Sequence, residues 1–476
     1  MASLVKNAVW NMIRVGSNVL FPLITFPYTS RVLGPAVKGE FEYVYAIVSY
    51  FILFANLGFP IYGIRETSKN RNSRKNLSDT VSAIFTANLL SVLCAILVYL
   101  ILILIVPDNE KLLFFVFGFS VVLSCIQFDW FYQGVEDFKY ITIRSIIIKA
   151  LSLISLFTFV KNKDDLIAYA IIVVFGEFGN NIFNLLRIGK YADLKFSLSN
   201  CSKHVKGASA LFLGTVAVSI YVQLNTVMLG ILDTKESVGY FSAGNKLIHM
   251  ILSIITAMLS TVVPRITYQL GTGKKVEGNL LQLKVFYLTL YIGYPIFVAL
   301  LFLADDVVML LAGNQFRAAI PVLMILSILV IIIPLSNFFG LQVLFPIKKE
   351  IYGTYAVVSG AIVNLLLNYV LVVNFSFIGI AISVVIAEFV VTYVHYHFAR
   401  KFVTIPIYCF FPINCLLAVV IMAFFLATAN TIYPEFSIQI FSIKCIIGSV
   451  IYLIVLLLRK DALCLEIVRK FSRNIM

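Results

Sequence analysis

Six ionisable residues fall inside long apolar stretches: the bases Arg14, Lys149, Lys246 and Lys444, with the acids Glu177 and Glu388 near mid-stretch. In a membrane each such charge costs at least about 2.5–3.5 kcal/mol on insertion scales, so each needs a chemical reason. Guanidinium and ammonium groups recognise phosphate. A membrane carboxylate either carries a proton or closes an ion pair, and for Glu177 and Glu388 both readings stand. The basic excess favours an anionic cargo, whereas an exporter of cationic drugs should present acids. Arg14 lies roughly 10 Å along the first predicted helix and Lys246 about two turns into the eighth. Either could snorkel to an interface or line a cavity. Lys149, near mid-helix, points to a cavity or an ion pair, and Lys444 is expected to snorkel outward.

Other chemistries find little support. The seven cysteines form no CxxC pair, and the four histidines have no ligand spacing, so neither a metal site nor a cofactor is expected. The acid pairs Asp164-Asp165 and Asp305-Asp306 read as solvated turn residues. A polysaccharide polymerase, which would need catalytic carboxylates on a sizeable outer loop, is therefore disfavoured.

The elements that position these charges follow from composition. The chain has 476 residues, 61% apolar and 13% charged. A soluble domain averages about 45–50% apolar and about 25% charged, so this chain has too few charges for a water-facing surface. The pattern predicts an all-α polytopic membrane protein of about fourteen helices, the first near residues 8–30 and the last near 437–458. Of the 37 basic residues, 26 fall on the side that holds both termini and seven on the other. The positive-inside rule then makes both termini cytoplasmic. The same bias accounts for most of the net charge of +14, and no nucleic-acid partner is expected. Arg14 interrupts the apolar run that a cleavable signal would need, so the first helix is read as retained.

The halves echo one another. VLGPAVKGEFEYVYAI (Val32–Ile47) resembles MLGILDTKESVGYFSAGNKLI (Met228–Ile248), with Gly39 and Phe41 on Gly239 and Phe241. Two parallel six-helix lobes, 1–206 and 207–400, are expected, with two further helices and a tail in 401–476. Such repeats mark transporters. Pro22 and Pro27 in the first helix, and Pro321 and Pro334 in the tenth, predict bends.

FPLITFPYTSRVLGP (Phe21–Pro35), LGFPIYGIRETSKNR (Leu57–Arg71), DWFYQGVEDFKYITIRS (Asp129–Ser145), SIYVQLNTVMLG (Ser219–Gly230), VGYFSAGNKL (Val238–Leu247) and VPRIT (Val263–Thr267) resemble the Wzx-type repeat-unit flippases. That superfamily also holds multidrug extruders and lipid II flippases. The resemblance implies two pseudo-symmetric lobes around a basic cavity in the bacterial inner membrane. It implies an undecaprenyl-diphosphate-linked oligosaccharide substrate, moved to the outer leaflet ahead of polysaccharide polymerase machinery, with membrane lipids as surroundings and no enzymatic step. By resemblance Arg14 and Lys246 match cavity-lining positions, with Arg31, Lys38 and Arg65 secondary and Arg65 better suited to the inner interface. Some lipid II flippases carry acids for sodium where Asn225 and Asn368 stand here, Asn364 lying one turn before; neutral amides put sodium coupling in doubt. A cation- or proton-coupled small-molecule exporter of the same superfamily is the alternative.

Overall fold

The computed structural model describes residues 2–199, 201–403, 405–461 and 464–466. Among these the chain is helical without a strand, and eleven runs are long and apolar enough to cross a membrane.

The first run, Ala2–Asn56, holds 55 residues. A straight helix of that length would span about 80 Å, nearly twice a full bilayer. It is two helices joined at Gly34, whose φ of 74° lies in the left-handed region open to glycine. Pro35 follows, and proline disfavours the helical region for the residue before it, so glycine and proline together make the VLGP sequence stop one helix and start the next. The residues at Pro22 and Pro27 stay helical; Gly34 is the one non-helical residue in the run.

A second run, Ile351–Ala399, is likewise two helices joined at Ser376, with φ 53°. The chain folds back there: Asn364 Nδ2 donates to Ser383 Oγ at 3.1 Å across 19 residues. The tenth predicted helix, where prolines imply bends, is segmented. Ile320–Leu326 begins with Pro321 in its first turn, Leu329–Asn337 contains Pro334, and a π-helical stretch, Phe338–Leu344, follows.

The chain forms two compact units, Met1–Gly239 and Tyr240–Met476. Residue 207, where the sequence repeat would begin its second copy, lies within the first. In that unit one apolar cluster gathers Leu33, Phe41, Val44, Tyr99, Phe117 and Tyr169. A second is built by the DWFYQG segment: the short helix Asp129–Gly134 buries Trp130, Phe131 and Tyr132 against Phe59, Tyr62 and Ile141. Its companion Arg144 is buried in Phe138–Phe159. Arg144 Nη2 donates to Asp129 Oδ1 at 2.7 Å and Nε to Asn180 Oδ1 at 3.1 Å, and Nη1 contacts Asn184 Oδ1. Asn184 Nδ2 in turn donates to Asp129 Oδ1 at 2.8 Å. The most specific sequence block of the chain is thus a clamp between helices, because a buried guanidinium needs acceptors on every side.

Also in this unit, His204 is buried with Nδ1 2.9 Å from the Tyr62 hydroxyl. Burial, opposed by Glu66 and aided by Lys203, holds this imidazole below its ordinary value. The unfolded chain takes up that proton near pH ~6.5. Its contribution to stability is therefore complete above that pH and is lost as pH falls through and below it. The midpoint of thermal unfolding in detergent should fall between pH 7.5 and 5.5, and His204→Gln should flatten that slope. An unaltered slope in the variant would assign the effect elsewhere.

In the second unit the long helix Lys275–Leu311 packs against Ile413–Ile432 and Ile438–Leu458 around Leu303, Cys415, Met422, Leu426 and Tyr452. Two sequence expectations change here. Lys444 does not snorkel outward, and Asp306 is not a solvated turn residue: Lys444 Nζ lies 3.2 Å from Asp306 Oδ2 and 3.3 Å from the Tyr433 carbonyl, with both side chains buried. Lys275–Leu311 stays helical through the acid pair, which carries Asp306 into the packed part of the helix, opposite Lys444.

Candidate functional site

Three segments of the first unit converge on its membrane-embedded charges. The first helix presents Arg14, Ser17 and Asn18, the helix Phe138–Phe159 presents Lys149, and Leu166–Phe178 presents Glu177. Arg14 is half-buried; Nη2 donates to Asn11 Oδ1 at 3.1 Å, while its buried Nε has no hydrogen-bond partner. Lys149, also half-buried, donates to Ser17 Oγ at 3.3 Å and contacts Asn18 Oδ1. The two cations are close enough for their charges to act on each other, and Glu177 acts on Lys149 as well. Neither cation has an ion-pair partner among the described residues. Glu177 Oε2 accepts a hydrogen bond from the Tyr45 hydroxyl at 2.8 Å.

Lys38 has partners of its own. It is buried at 3% exposure, donates to the Tyr169 hydroxyl at 3.1 Å, and lies 3.7 Å from Glu42. The rings of Phe41 and Tyr169 flank it at 5.4 and 4.8 Å. Its charge is satisfied within the unit. Arg31 is exposed at the end of the first helix. Asn225 is buried on Cys201–Leu232.

The second unit carries the remaining candidates. Lys246 is half-buried on Lys235–Ser260, and Glu388 is half-buried in the hairpin Ile351–Ala399. Asn364 and Asn368 are fully buried, and Asn368 Nδ2 donates to Asn364 Oδ1 at 3.1 Å. Together with the bond from Asn364 to Ser383, this stitches the hairpin arms, which is sufficient reason for two buried amides in a membrane helix. Among the described residues no three His, Cys, Asp or Glu side chains gather in a way that could hold a metal ion.

The sequence singles out Arg14, Lys149 and Glu177 separately; that they share one neighbourhood, and that Tyr45 holds Glu177 across 132 residues, is visible only in the fold.

Helices long and apolar enough to span a bilayer, with unpaired cations at membrane depth, define a multi-pass membrane protein with a transporter-like fold. The chain belongs to the polysaccharide biosynthesis protein family, whose model matches residues 4–268. It is 30% identical over 408 residues to a protein of Escherichia coli (strain K12) named as an O-antigen transporter, covering 84% of this chain and 97% of that one. It is 22% identical over 375 residues to the capsular polysaccharide biosynthesis protein CapF of Staphylococcus aureus, covering 77% and 92%. Among solved structures it matches the lipid II flippase MurJ in an inward closed conformation, with a TM-score of 0.79 at 15% identity over 96% of this chain and 99% of that one. It also matches a multidrug resistance MATE family transporter of the MOP superfamily in an inward-facing conformation, with a TM-score of 0.61 at 14% identity over 83% and 97%. These two likenesses establish the fold.

Proposed function

We propose that the chain is a flippase that moves undecaprenyl-diphosphate-linked oligosaccharide repeat units from the cytoplasmic to the outer leaflet of a bacterial inner membrane by alternating access. The observation that carries this reading is the pair Arg14 and Lys149, two cations that share one neighbourhood in apolar helices while neither closes an ion pair among the described residues, Glu177 acting on Lys149 only from beyond ion-pair distance. A structural role would pair them; a diphosphate supplies the missing charge and suits the forked guanidinium. The names of the O-antigen transporter and the capsular protein agree with a glycan cargo. The positive-inside bias favours cytoplasmic termini. Lys246 is a further candidate for contact with the substrate. Outward movement of about two negative charges gains roughly 4–5 kcal/mol at 100 mV, inside negative, so ion coupling is allowed without being required. Consumption by polymerase machinery would draw the product onward.

Arg14→Ala with Lys149→Ala should abolish surface glycan in cells lacking the native copy, with membrane abundance unchanged. Each lost charge-assisted hydrogen bond is worth about 1.5–3 kcal/mol, so the pair should cost at least about 100-fold in transport. The assay is leaflet accessibility of the lipid-linked unit in spheroplasts. Wild-type accessibility in the double variant would return both residues to interface anchoring, and unchanged accessibility in deletion cells would remove the flippase reading itself. The bond from Tyr45 to Glu177 favours a second reading, proton-coupled export, for which Glu177→Gln is the discriminating variant.

A further inference from the structure

A cavity of about 470 Å³ opens in the first unit beside a break in the second helix. The break is made by Leu57 and Gly58, with φ of 41° and 77°, both in the left-handed region. Gly58 also lets Cys201–Leu232 approach: a Cβ there would stand 2.6 Å from the Ala208 carbonyl oxygen. Three segments distant in sequence thus bring the amides of Asn56, Gln127 and Gln223 to one space, alongside the rings of Tyr50 and Phe212.

The amides are not used by the protein. Asn56 Oδ1 is buried and accepts no hydrogen bond, and the side chains of Gln127 and Gln223 make none among the described residues. Leaving an amide unpaired away from water is unfavourable, and a hydrocarbon occupant would leave all three so. Among the described residues the cavity lining contains no acid and no base, so an ionic ligand finds no counter-charge among them. An amide offers one acceptor and two donors, which matches neighbouring hydroxyls that each donate and accept. Aromatic rings supply an apolar face for the C–H side of a sugar ring. The volume lies within the usual range for a small-molecule site, about 300–1,000 Å³.

We infer that this cavity is a subsite for an uncharged saccharide ring, bound through the amides of Asn56, Gln127 and Gln223. The assignment rests on the flippase reading above, in which Arg14 and Lys149 take the diphosphate, and it names where the glycan of that substrate is read.

The test pairs a cell assay with a binding assay. The probe is the free oligosaccharide of the cell's own repeat unit, cleaved from its lipid and added to purified full-length protein at millimolar concentration. The wild type should unfold at a higher temperature with the probe than without it. Asn56→Leu and Gln223→Leu should each lose that shift and lower export of the native unit about tenfold, the equivalent of one hydrogen bond. Without probe, Asn56→Leu should unfold no lower than the wild type, because it replaces an unpaired amide with a side chain of similar volume. A lower unfolding temperature without probe would make the amide structural and overturn the assignment. No shift in the wild type, or equal shifts in wild type and variants, would overturn it too. A stabilised variant with unchanged export would make the occupant hydrocarbon. If the wild type binds the probe while deletion cells display glycan normally, the flippase reading fails and the subsite stands.

Discussion

Gly39→Leu is expected to eliminate folded protein from the membrane, and Gly239→Leu to do the same. The sequence repeat aligns these two glycines, and the fold places them against each other. A Cβ on Gly39 would stand 2.7 Å from the Gly239 nitrogen and nearer still to the Lys235 carbonyl oxygen. A Cβ on Gly239 would stand 2.8 Å from the Pro35 carbonyl carbon, with the oxygen closer. The atoms met are backbone on both sides, so no rotamer change relieves the overlap. Overpacking against movable side chains costs about 1–3 kcal/mol; against two backbones the cost should exceed that range, a large part of the roughly 5–15 kcal/mol that holds a typical domain folded. The sign separates this from propensity. Gly→Ala at a compatible helical site stabilises by about 0.4–1 kcal/mol, and Gly16, where a methyl group would meet nothing within 4 Å, is such a site. Size-exclusion profiles of detergent-extracted protein should therefore show Gly16→Ala at or above the wild-type level, Gly39→Ala reduced, and both leucine variants absent. Wild-type levels of Gly39→Leu would mean that the two helix starts do not cross as closely as the fold shows.

How much of this is legible in the sequence divides by distance along the chain. The stop at Gly34 is readable because VLGP carries its own reason, a glycine free to turn left-handed and a proline that disfavours helix before it. The equivalence of Gly39 and Gly239 is readable as an echo, since the same local geometry has to be written twice. The fate of each membrane charge is not. Lys38 lies 3.7 Å from Glu42 within its own helix, yet Tyr169, which accepts its hydrogen bond, lies 131 residues away. Lys444 meets Asp306 across 138 residues. Arg144 finds its acceptors, Asp129, Asn180 and Asn184, on other segments. A sequence shows that a charge is in the membrane; only the packing shows whether something opposite neutralises it. The same rule singles out Arg14 and Lys149, which close no ion pair among the described residues although Glu177 acts on Lys149, and the amides around the break at Leu57–Gly58, whose meeting no local pattern announces.

Lys444→Met should be among the most damaging single substitutions in the second unit, although it removes a charge from the membrane. The ammonium and the Asp306 carboxylate are 5% and 8% exposed, so each is the other's main compensation. Removing one partner of a buried pair leaves the other uncompensated, at about 3–5 kcal/mol. Lys444 also donates to the Tyr433 carbonyl at 3.3 Å, where Ile413–Ile432 has just ended, and that acceptor loses its partner as well. Asp306→Leu should be comparably harmful. Removing both charges should recover most of the loss, because well-packed apolar replacements of a buried pair are often neutral or stabilising. Thermal unfolding of the two single variants and the double variant in detergent forms a closed cycle, with an expected coupling of at least about 2 kcal/mol. Additive losses would mean that the two side chains are separately solvated and do not hold Ile438–Leu458 to Lys275–Leu311. Since neither residue belongs to the first unit, where Arg14 and Lys149 lie, the double variant should also restore surface glycan; a stable double variant without transport would give the pair a part in the transport cycle itself.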